Sequence, residues 1–171
     1  MLANSANTAR RRQGGTTLIE VSVALLILSF GMLGIVGVQA VSLRANQSAY
    51  FRTIATTLSV DIVERMRANL EGVDNGGYDD VVGAETASCF TAAGCSAAQM
   101  AAQDVFDWTA LVAAALPSGD AVVCLDSSPD DGTAAANACD GAGTVYAVKI
   151  WWDDNRDGTA STIYLSSFKP L

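Results

Sequence analysis

The stretch Gly14-Gly15-Thr16-Thr17-Leu18-Ile19-Glu20 opens a long apolar segment near the start of this 171-residue chain. Three arginines at positions 10–12 precede it, and the following run Val21–Leu43 contains no charged residue. As a helix, this run of 23 residues is long enough to cross the ~30 Å apolar core of a bilayer. The arginines predict that its N-terminal side stays in the cytoplasm. A lone carboxylate beside such a helix is costly and usually functional, which draws attention to Glu20.

The order of the segments differs from that of an ordinary secretory signal, in which the cleavage site follows the apolar stretch. Here the glycine pair precedes the apolar run, so cleavage after Gly15 would remove the arginines and keep the helix. This arrangement resembles the type III signal of prepilins, the precursors of type IV pilus subunits. In that family prepilin peptidase cuts after the glycine and methylates the new amino terminus. The resemblance implies a leader at 1–15 and methylation at Thr16, where most pilins carry phenylalanine.

Glu20 has two compatible interpretations. Thr17 and Glu20 have the T-x-x-E spacing of a capping box, and an acidic residue near a helix N-terminus also suits the helix dipole. After cleavage Glu20 would be the fifth residue from a free, positively charged amino group. The prepilin resemblance favours a contact between this carboxylate and the amino terminus of a neighbouring subunit in a filament. In an apolar medium such a pair attracts far more strongly than on a wet surface.

The apolar residues after the membrane-length run thin into a single stripe, which predicts one helix over residues 16–71, with about 21–43 in the membrane. Gly72 is a natural stop for this helix. The stripe consists of Phe51, Ile54, Leu58, Ile62, Met66 and Leu70.

Two sequence strings in this helix indicate which class of type IV pilin the chain resembles. Asn46-Gln47-Ser48-Ala49-Tyr50-Phe51-Arg52 and Asp61-Ile62-Val63-Glu64-Arg65-Met66-Arg67-Ala68-Asn69 are similar to strings of the PilV-type minor pilins, the type IV pilus modification proteins. The resemblance implies an α+β, pilin-like fold whose long helix packs on a small head with an antiparallel sheet. It implies no cofactor, and the implied partners are other minor pilins, the major pilin, the inner-membrane assembly platform, a tip adhesin and prepilin peptidase.

The remaining residues, 72–171, are called the head. They contain fourteen acidic residues against three basic ones, a net charge of −11. Such a charge repels phosphate backbones and argues against a nucleic-acid partner. The chain contains no histidine, which removes the commonest general base and the histidine-dependent nucleophiles. Together with the lack of a paired-carboxylate signature, this predicts a protein that is not an enzyme.

All four cysteines lie in the head, and an even count in an oxidising compartment indicates disulfides. Of three connectivities we favour Cys89–Cys95 with Cys124–Cys139, because a glycine-bearing loop separates each pair and a predicted helix lies between the pairs. A metal site made of all four is the alternative, but the spacings do not match zinc patterns.

The head also has readable secondary structure. A capping box at Ser96 and Gln99 predicts a helix to about Ala115. Its expected inward face is Ala101, Val105, Trp108, Leu111 and Val112. Strands are expected at 121–125, 144–152 and 161–168, the second of them with two alternating faces.

The loop after the second strand carries a weak calcium motif. Asp153, Asn155 and Asp157, followed by Gly158, match the first half of a calcium-binding loop, but Tyr164 occupies the position of the essential glutamate. The alternative is a polar turn, and no metal is predicted.

Taken together, the sequence predicts a minor pilin that joins a complex priming type IV pilus assembly near the tip, supporting piliation, twitching motility and adhesion. Its expected location is the inner membrane of a Gram-negative bacterium, crossed once, with the head in the periplasm, and later the pilus fibre. Two alternatives stay open: a type II secretion pseudopilin, which shares the signal and the helix, and a ligand-binding tip adhesin subunit.

Overall fold

The computed structural model describes residue 15 and residues 17–170. Most of the predicted leader, and Thr16 with it, lie outside the described residues. The chain forms two compact units, Met1–Ala45 and Asn46–Leu171. In chain order the elements are helices α1 (Leu18–Ala68) and α2 (Leu70–Asp74), a 3-10 turn (Ala87–Phe90), helix α3 (Ala97–Ala115) and strands β1 (Asp120–Leu125), β2 (Tyr146–Trp152) and β3 (Thr162–Phe168). The predicted α+β class, with one long N-terminal helix and a small antiparallel sheet, is confirmed.

In the first unit, every described residue up to Ala45 is exposed. The second unit has the hydrophobic core, to which α1 contributes Phe51, Ala55, Ile62 and Met66. Ile54 and Leu58 of the predicted stripe are partly buried against this core. Leu70 is 48% exposed and leaves the stripe.

Leu70 leaves the stripe because α1 ends at Ala68, whereas the sequence predicted a helix continuous to Glu71. Asn69 breaks the helix and starts α2, its side chain accepting a hydrogen bond from the Gly72 N–H at 3.2 Å. Gly72 therefore lies inside α2 and does not stop a helix. A Cβ at Gly72 would lie 2.4 Å from Nδ2 of Asn69, so only glycine fits beside this cap.

Helix α3 begins with the predicted capping box, in which Ser96 and Gln99 each bond the other's backbone N–H. Its buried apolar residues are Ala101, Val105, Trp108 and Val112. The indole N–H of Trp108 donates to the carbonyl of Leu58 at 2.8 Å and ties α3 to α1. The prediction for Leu111 was wrong, since this side chain is 46% exposed on the outer side of the helix.

The three strands form one antiparallel sheet in the order β1-β2-β3. Lys149 at the centre of β2 pairs with Val122 of β1 and Leu165 of β3. All seven residues of β2 are buried, because both faces of the central strand are covered. Tyr146, Val148, Ile150 and Trp152 belong to the core. The predicted alternation is thus present as two different buried faces.

Candidate functional site

The start of α1 places Glu20 in the first turn. The backbone N–H of Glu20 points at Thr17, with its nitrogen 3.0 Å from the carbonyl oxygen and 3.4 Å from Oγ1. Thr17 therefore supplies its half of the predicted capping box. Glu20 is exposed, as are Gly15 and Thr17, which leaves the carboxylate available to a group outside the chain. The predicted cleavage breaks the peptide bond between Gly15 and Thr16, and Thr16 lies outside the described residues.

The apolar surface of α1 is uncovered within the chain. Among the described residues, this is the one helix long and apolar enough to cross a membrane, with a mean hydropathy of 2.5 over its most apolar window and none of that window buried. Leu26 is 57% exposed and Phe30 is 69% exposed. Because water is a poor solvent for such a surface, it requires lipid or other apolar helices around it.

Three glycines, Gly31, Gly34 and Gly37, interrupt this apolar surface. A Cβ added at any of them would meet no atom of the chain within 4 Å. Packing within the chain therefore does not explain why glycine occupies these positions. Small residues on a membrane helix let the backbone of another helix approach closely.

In the head, the structure pairs Cys89 with Cys95 and Cys124 with Cys139, the connectivity that the sequence favoured. No cysteine is free among the described residues, which include all four. A metal site made of four cysteine thiolates is therefore not formed. The second bridge closes residues 124–139 into a segment, called here the disulfide loop.

Lys149 anchors the disulfide loop from beneath. Its ammonium nitrogen lies 2.5 Å from Oδ2 of Asp126, and both side chains have no exposed surface. The same nitrogen donates hydrogen bonds to the carbonyls of Asn137 at 2.8 Å and Asp131 at 3.1 Å. Buried charges persist only where they are paired and hydrogen-bonded. This cluster was not predicted from the sequence, although a lysine among the apolar residues of β2 indicates that a carboxylate must approach it.

The predicted calcium motif is used as a turn. Asp153 is 3% exposed, and its carboxylate accepts the backbone N–H groups of Asp157 at 3.1 Å and Gly158 at 2.7 Å. Burial acts to raise the pKa of Asp153, but these backbone hydrogen bonds outweigh it and lower the pKa below the ordinary value. The neighbouring Asp154 carboxylate accepts the hydroxyl of Ser48 at 2.7 Å and so joins the turn to α1. The polar-turn interpretation accounts for these residues.

A second polar cluster joins α1 to α3. The Tyr78 hydroxyl donates to Asp104 at 2.6 Å, and Asp104 also accepts from Arg65 at 3.4 Å. Burial, reinforced by the Asp104 hydrogen bond, raises the pKa of Tyr78 well above its ordinary value. Burial acts to lower the pKa of Arg65, but hydrogen bonds and charge from Asp61 and Asp104 outweigh it and raise the pKa. This cluster is structural, since its polar groups satisfy one another.

Two family models match the chain. Residues 37–106 match the model described as type IV pilin Tt1218, and residues 10–36 match the prokaryotic N-terminal methylation motif. By these two matches, residues 10–106 are similar to type IV pilins. The matches adjoin and together run from the arginines before the glycine pair into helix α3 of the head. No curated protein and no solved structure is significantly similar to the chain.

The similarity to type IV pilins accounts for the geometry of α1. Type IV pilins are structural subunits, and the methylation motif implies processing by prepilin peptidase followed by pilus assembly. The exposed apolar helix fits a membrane anchor that later enters a pilus. In both settings the surface that is uncovered in the single chain becomes buried.

Proposed function

We propose that this pilin is a PilV-type minor pilin, which joins a minor-pilin complex that primes type IV pilus assembly and stays near the tip. The observation that carries the proposal is the uncovered apolar helix with one carboxylate, Glu20, in its first turn. Similarity of the two strings in 46–69 to PilV-type proteins supports the minor class. The other minor pilins, the major pilin, the assembly platform and a tip adhesin are the proposed partners.

The proposed mechanism begins in the inner membrane of a Gram-negative bacterium. Prepilin peptidase cuts after Gly15, and the head stays in the periplasm. When the subunit leaves the bilayer, the apolar part of α1 packs among the helices of its neighbours. Glu20 then meets the positive amino terminus of an adjacent subunit, and the apolar surroundings strengthen that attraction. The pair fixes how far one helix is displaced along the next.

The acidic head gives each subunit its own surface. Its net charge of −11 keeps it soluble in the periplasm and disfavours contact with another equally acidic head. A head that binds different proteins and not its own copies agrees with a subunit that is present in few copies. Support for piliation, twitching motility and adhesion follows from a role in starting the fibre.

The test is deletion of the gene followed by restoration with defined variants. Deletion is expected to lower surface pili at least tenfold, and the unaltered gene should restore them. Glu20→Ala should insert into the membrane normally but fail to restore pili. Glu71→Ala is the matched control, because Glu71 is an exposed carboxylate of α2, far along the chain. Normal pili with Glu20→Ala, or a deletion that impairs protein secretion and not pili, would contradict the proposal.

A further inference from the structure

The edge of the sheet at β3 lacks the features that normally prevent strand pairing. β3 spans Thr162–Phe168, contains no charged residue and no proline, and pairs with β2 at all seven positions without a bulge. Natural edge strands are usually blocked by lysine, proline, bulges or a covering segment. An edge without these features is a template for another strand.

The pairing pattern shows which backbone groups of β3 face outward. The carbonyl of Val123 accepts a hydrogen bond from the Asp80 N–H at 2.9 Å, so Val123 directs its polar groups away from β2. Val123 lies opposite Val148, which lies opposite Ser166. Val123 and Val148 therefore form a non-hydrogen-bonded pair, and the backbone N–H and C=O of Val148 face β3. Val148 and Ser166 are thus a hydrogen-bonded pair, and such pairs alternate with non-bonded ones along an antiparallel sheet. The β3 residues with outward N–H and C=O groups are therefore Ile163, Leu165 and Ser167.

These outward groups have no backbone partner beyond β2 within residues 17–170. The three side chains are exposed as well, Ile163 at 36% and Leu165 at 37%. Their partners on β2 include Trp151 and Lys149, which places them on the face that carries the disulfide loop. This side of β3 therefore offers backbone donors and acceptors together with apolar side chains.

Two cavities lie beside β3 on this face. One of about 480 Å³ is lined by Ile163, by residues 158–161 and by residues 132–135 of the disulfide loop. The other, of about 310 Å³, is lined by Leu165, Ser167 and the turn at Pro129. A strand added to an edge places alternate side chains on one face, two residues apart. The cavities give such side chains room at both ends of β3.

We propose that the β3 edge takes an extended strand from a partner protein, and that this strand is neutral or basic. A second copy of this chain is a poor donor, since its head brings the same charge of −11 to the contact. Main-chain hydrogen bonds would supply affinity, and the cavities would select alternate side chains. The inference rests on the proposed function only for the place of the encounter, a pilus complex.

The test uses the full chain in detergent micelles and a synthetic strand peptide of alternating threonine and valine with lysine at both ends. Amide hydrogen exchange, resolved by residue, should slow at least tenfold at Ile163, Leu165 and Ser167 when the peptide is added. Exchange at Tyr164 and Ser166 should change little, because their N–H groups already bond β2. Replacing the terminal lysines of the peptide with glutamates should weaken binding at least fivefold.

A pair of variants separates the backbone from the side chain. Leu165→Pro removes an outward N–H, a change that edge strands tolerate, and should weaken peptide binding at least tenfold. Leu165→Ala keeps the N–H and should bind within threefold of the unaltered protein. If Leu165→Pro does not fold, the exchange pattern of the unaltered protein decides the matter alone.

Three results would overturn the inference: no slowing at the outward amides, equal binding of the glutamate peptide, or slowing without peptide that grows with protein concentration. The last result would assign the edge to a second copy. Peptide binding is measured on the purified chain, so it stays informative if deletion of the gene leaves pili normal. That outcome would contradict the proposed function but not the proposal that β3 binds a strand. Conversely, if deletion abolishes pili but the peptide does not bind β3, the proposed function stands and the strand-binding proposal is wrong.

Discussion

The ammonium of Lys149 and the carboxylate of Asp126 form an ion pair at 2.5 Å with no exposed surface on either side chain. Lys149 lies at the middle of the central strand, and Asp126 lies just inside the disulfide loop. The pair therefore fixes the loop to the sheet, independently of the bridge between Cys124 and Cys139. Removal of the Lys149 charge would leave Asp126 buried without its partner, whereas Lys149 also contacts Oδ1 of Asp131 at 3.2 Å.

Replacing Lys149 with methionine keeps most of its volume and deletes the charge. We expect Lys149→Met to lower the free energy of unfolding by about 3–5 kcal/mol, the usual cost of leaving one member of a buried pair. Urea denaturation monitored by tryptophan fluorescence would measure it. Limited proteolysis should cut within residues 125–138 sooner than in the unaltered protein.

Two further variants make this prediction specific. Lys169→Met removes a positive charge from an exposed position and should change stability by less than about 0.5 kcal/mol. The double variant Lys149→Met with Asp126→Leu removes both charges, and it should recover much of the loss because an apolar pair can replace a buried ion pair. Equal destabilisation by the single and double variants would show that packing, not charge, holds the loop.

Tyr78 gives the protein an alkaline limit. Its pKa is raised by burial and by its hydrogen bond to Asp104, so the folded state keeps the phenol proton more firmly than the unfolded state does. The resulting stabilisation is complete below the unfolded pKa of about 10 and is lost as pH rises from there through the folded pKa. The slope of stability against pH should therefore turn negative above pH 10.

Tyr78→Phe should flatten part of that slope and, at neutral pH, cost about 1.5–3 kcal/mol for the lost bond to a charged acceptor. Tyr50→Phe is the control, since Tyr50 is 63% exposed. A slope contribution from Tyr146 should remain in both variants, because burial also raises the pKa of Tyr146. Denaturant midpoints at several pH values would measure the slopes, and identical slopes for Tyr78→Phe and the unaltered protein would contradict the assignment.

Features of the fold that depend on residues close together in the sequence were predicted better than features that depend on long-range contacts. The capping box at Ser96 and the spacing around Trp108 placed α3 correctly, because both depend on residues within a few positions of each other. The end of α1 was missed, since Asn69 is held by the carbonyl of Ala97 and the hydroxyl of Tyr78, neither of which periodicity reveals. The partner of Lys149 was missed for the same reason.

For the candidate site, the sequence alone placed Glu20 at the start of α1 and paired the cysteines as the structure does. The outward groups of β3 could not be predicted, because they depend on strand register and on the Asp80 hydrogen bond to Val123. The pairing register of β3 with β2 depends on how the whole sheet packs, and the residue composition of β3 does not predict it.

The stability of the turn at Asp153 should depend on pH and not on calcium. Burial acts to raise the pKa of Asp153, but backbone N–H groups, among them those of Gly158 and Asp157, bond the charged form and bring the pKa below the ordinary value. The stabilisation is present above the unfolded pKa of about 3.9 and is lost as pH falls through the folded pKa. Asp153→Ala should therefore be less stable than the unaltered protein at pH 7 and approach it in stability as the pH is lowered below 4.

Thermal denaturation over this pH range measures the difference, and Asp130→Ala, at an exposed position, is the control that should show no such convergence. Addition of millimolar calcium should leave the midpoint of the unaltered protein unchanged. A rise in the midpoint that Asp153→Ala abolishes would restore the calcium interpretation of Asp153, Asn155 and Asp157.

In the proposed function, filament entry depends on processing at the glycine pair, because the arginines at 10–12 would enter an apolar filament core only at a large desolvation cost. We expect the mature protein to begin at Thr16 with a methylated amino group, which N-terminal mass spectrometry of membrane-extracted protein would show. Gly15→Leu should leave the leader attached and the chain in the membrane, absent from sheared pili. Gly31→Leu, a change of equal size within the apolar run, should be processed normally, since a Cβ there meets nothing in the chain. An intact leader on the unaltered protein in piliated cells would remove the free amino terminus that the proposed Glu20 contact needs.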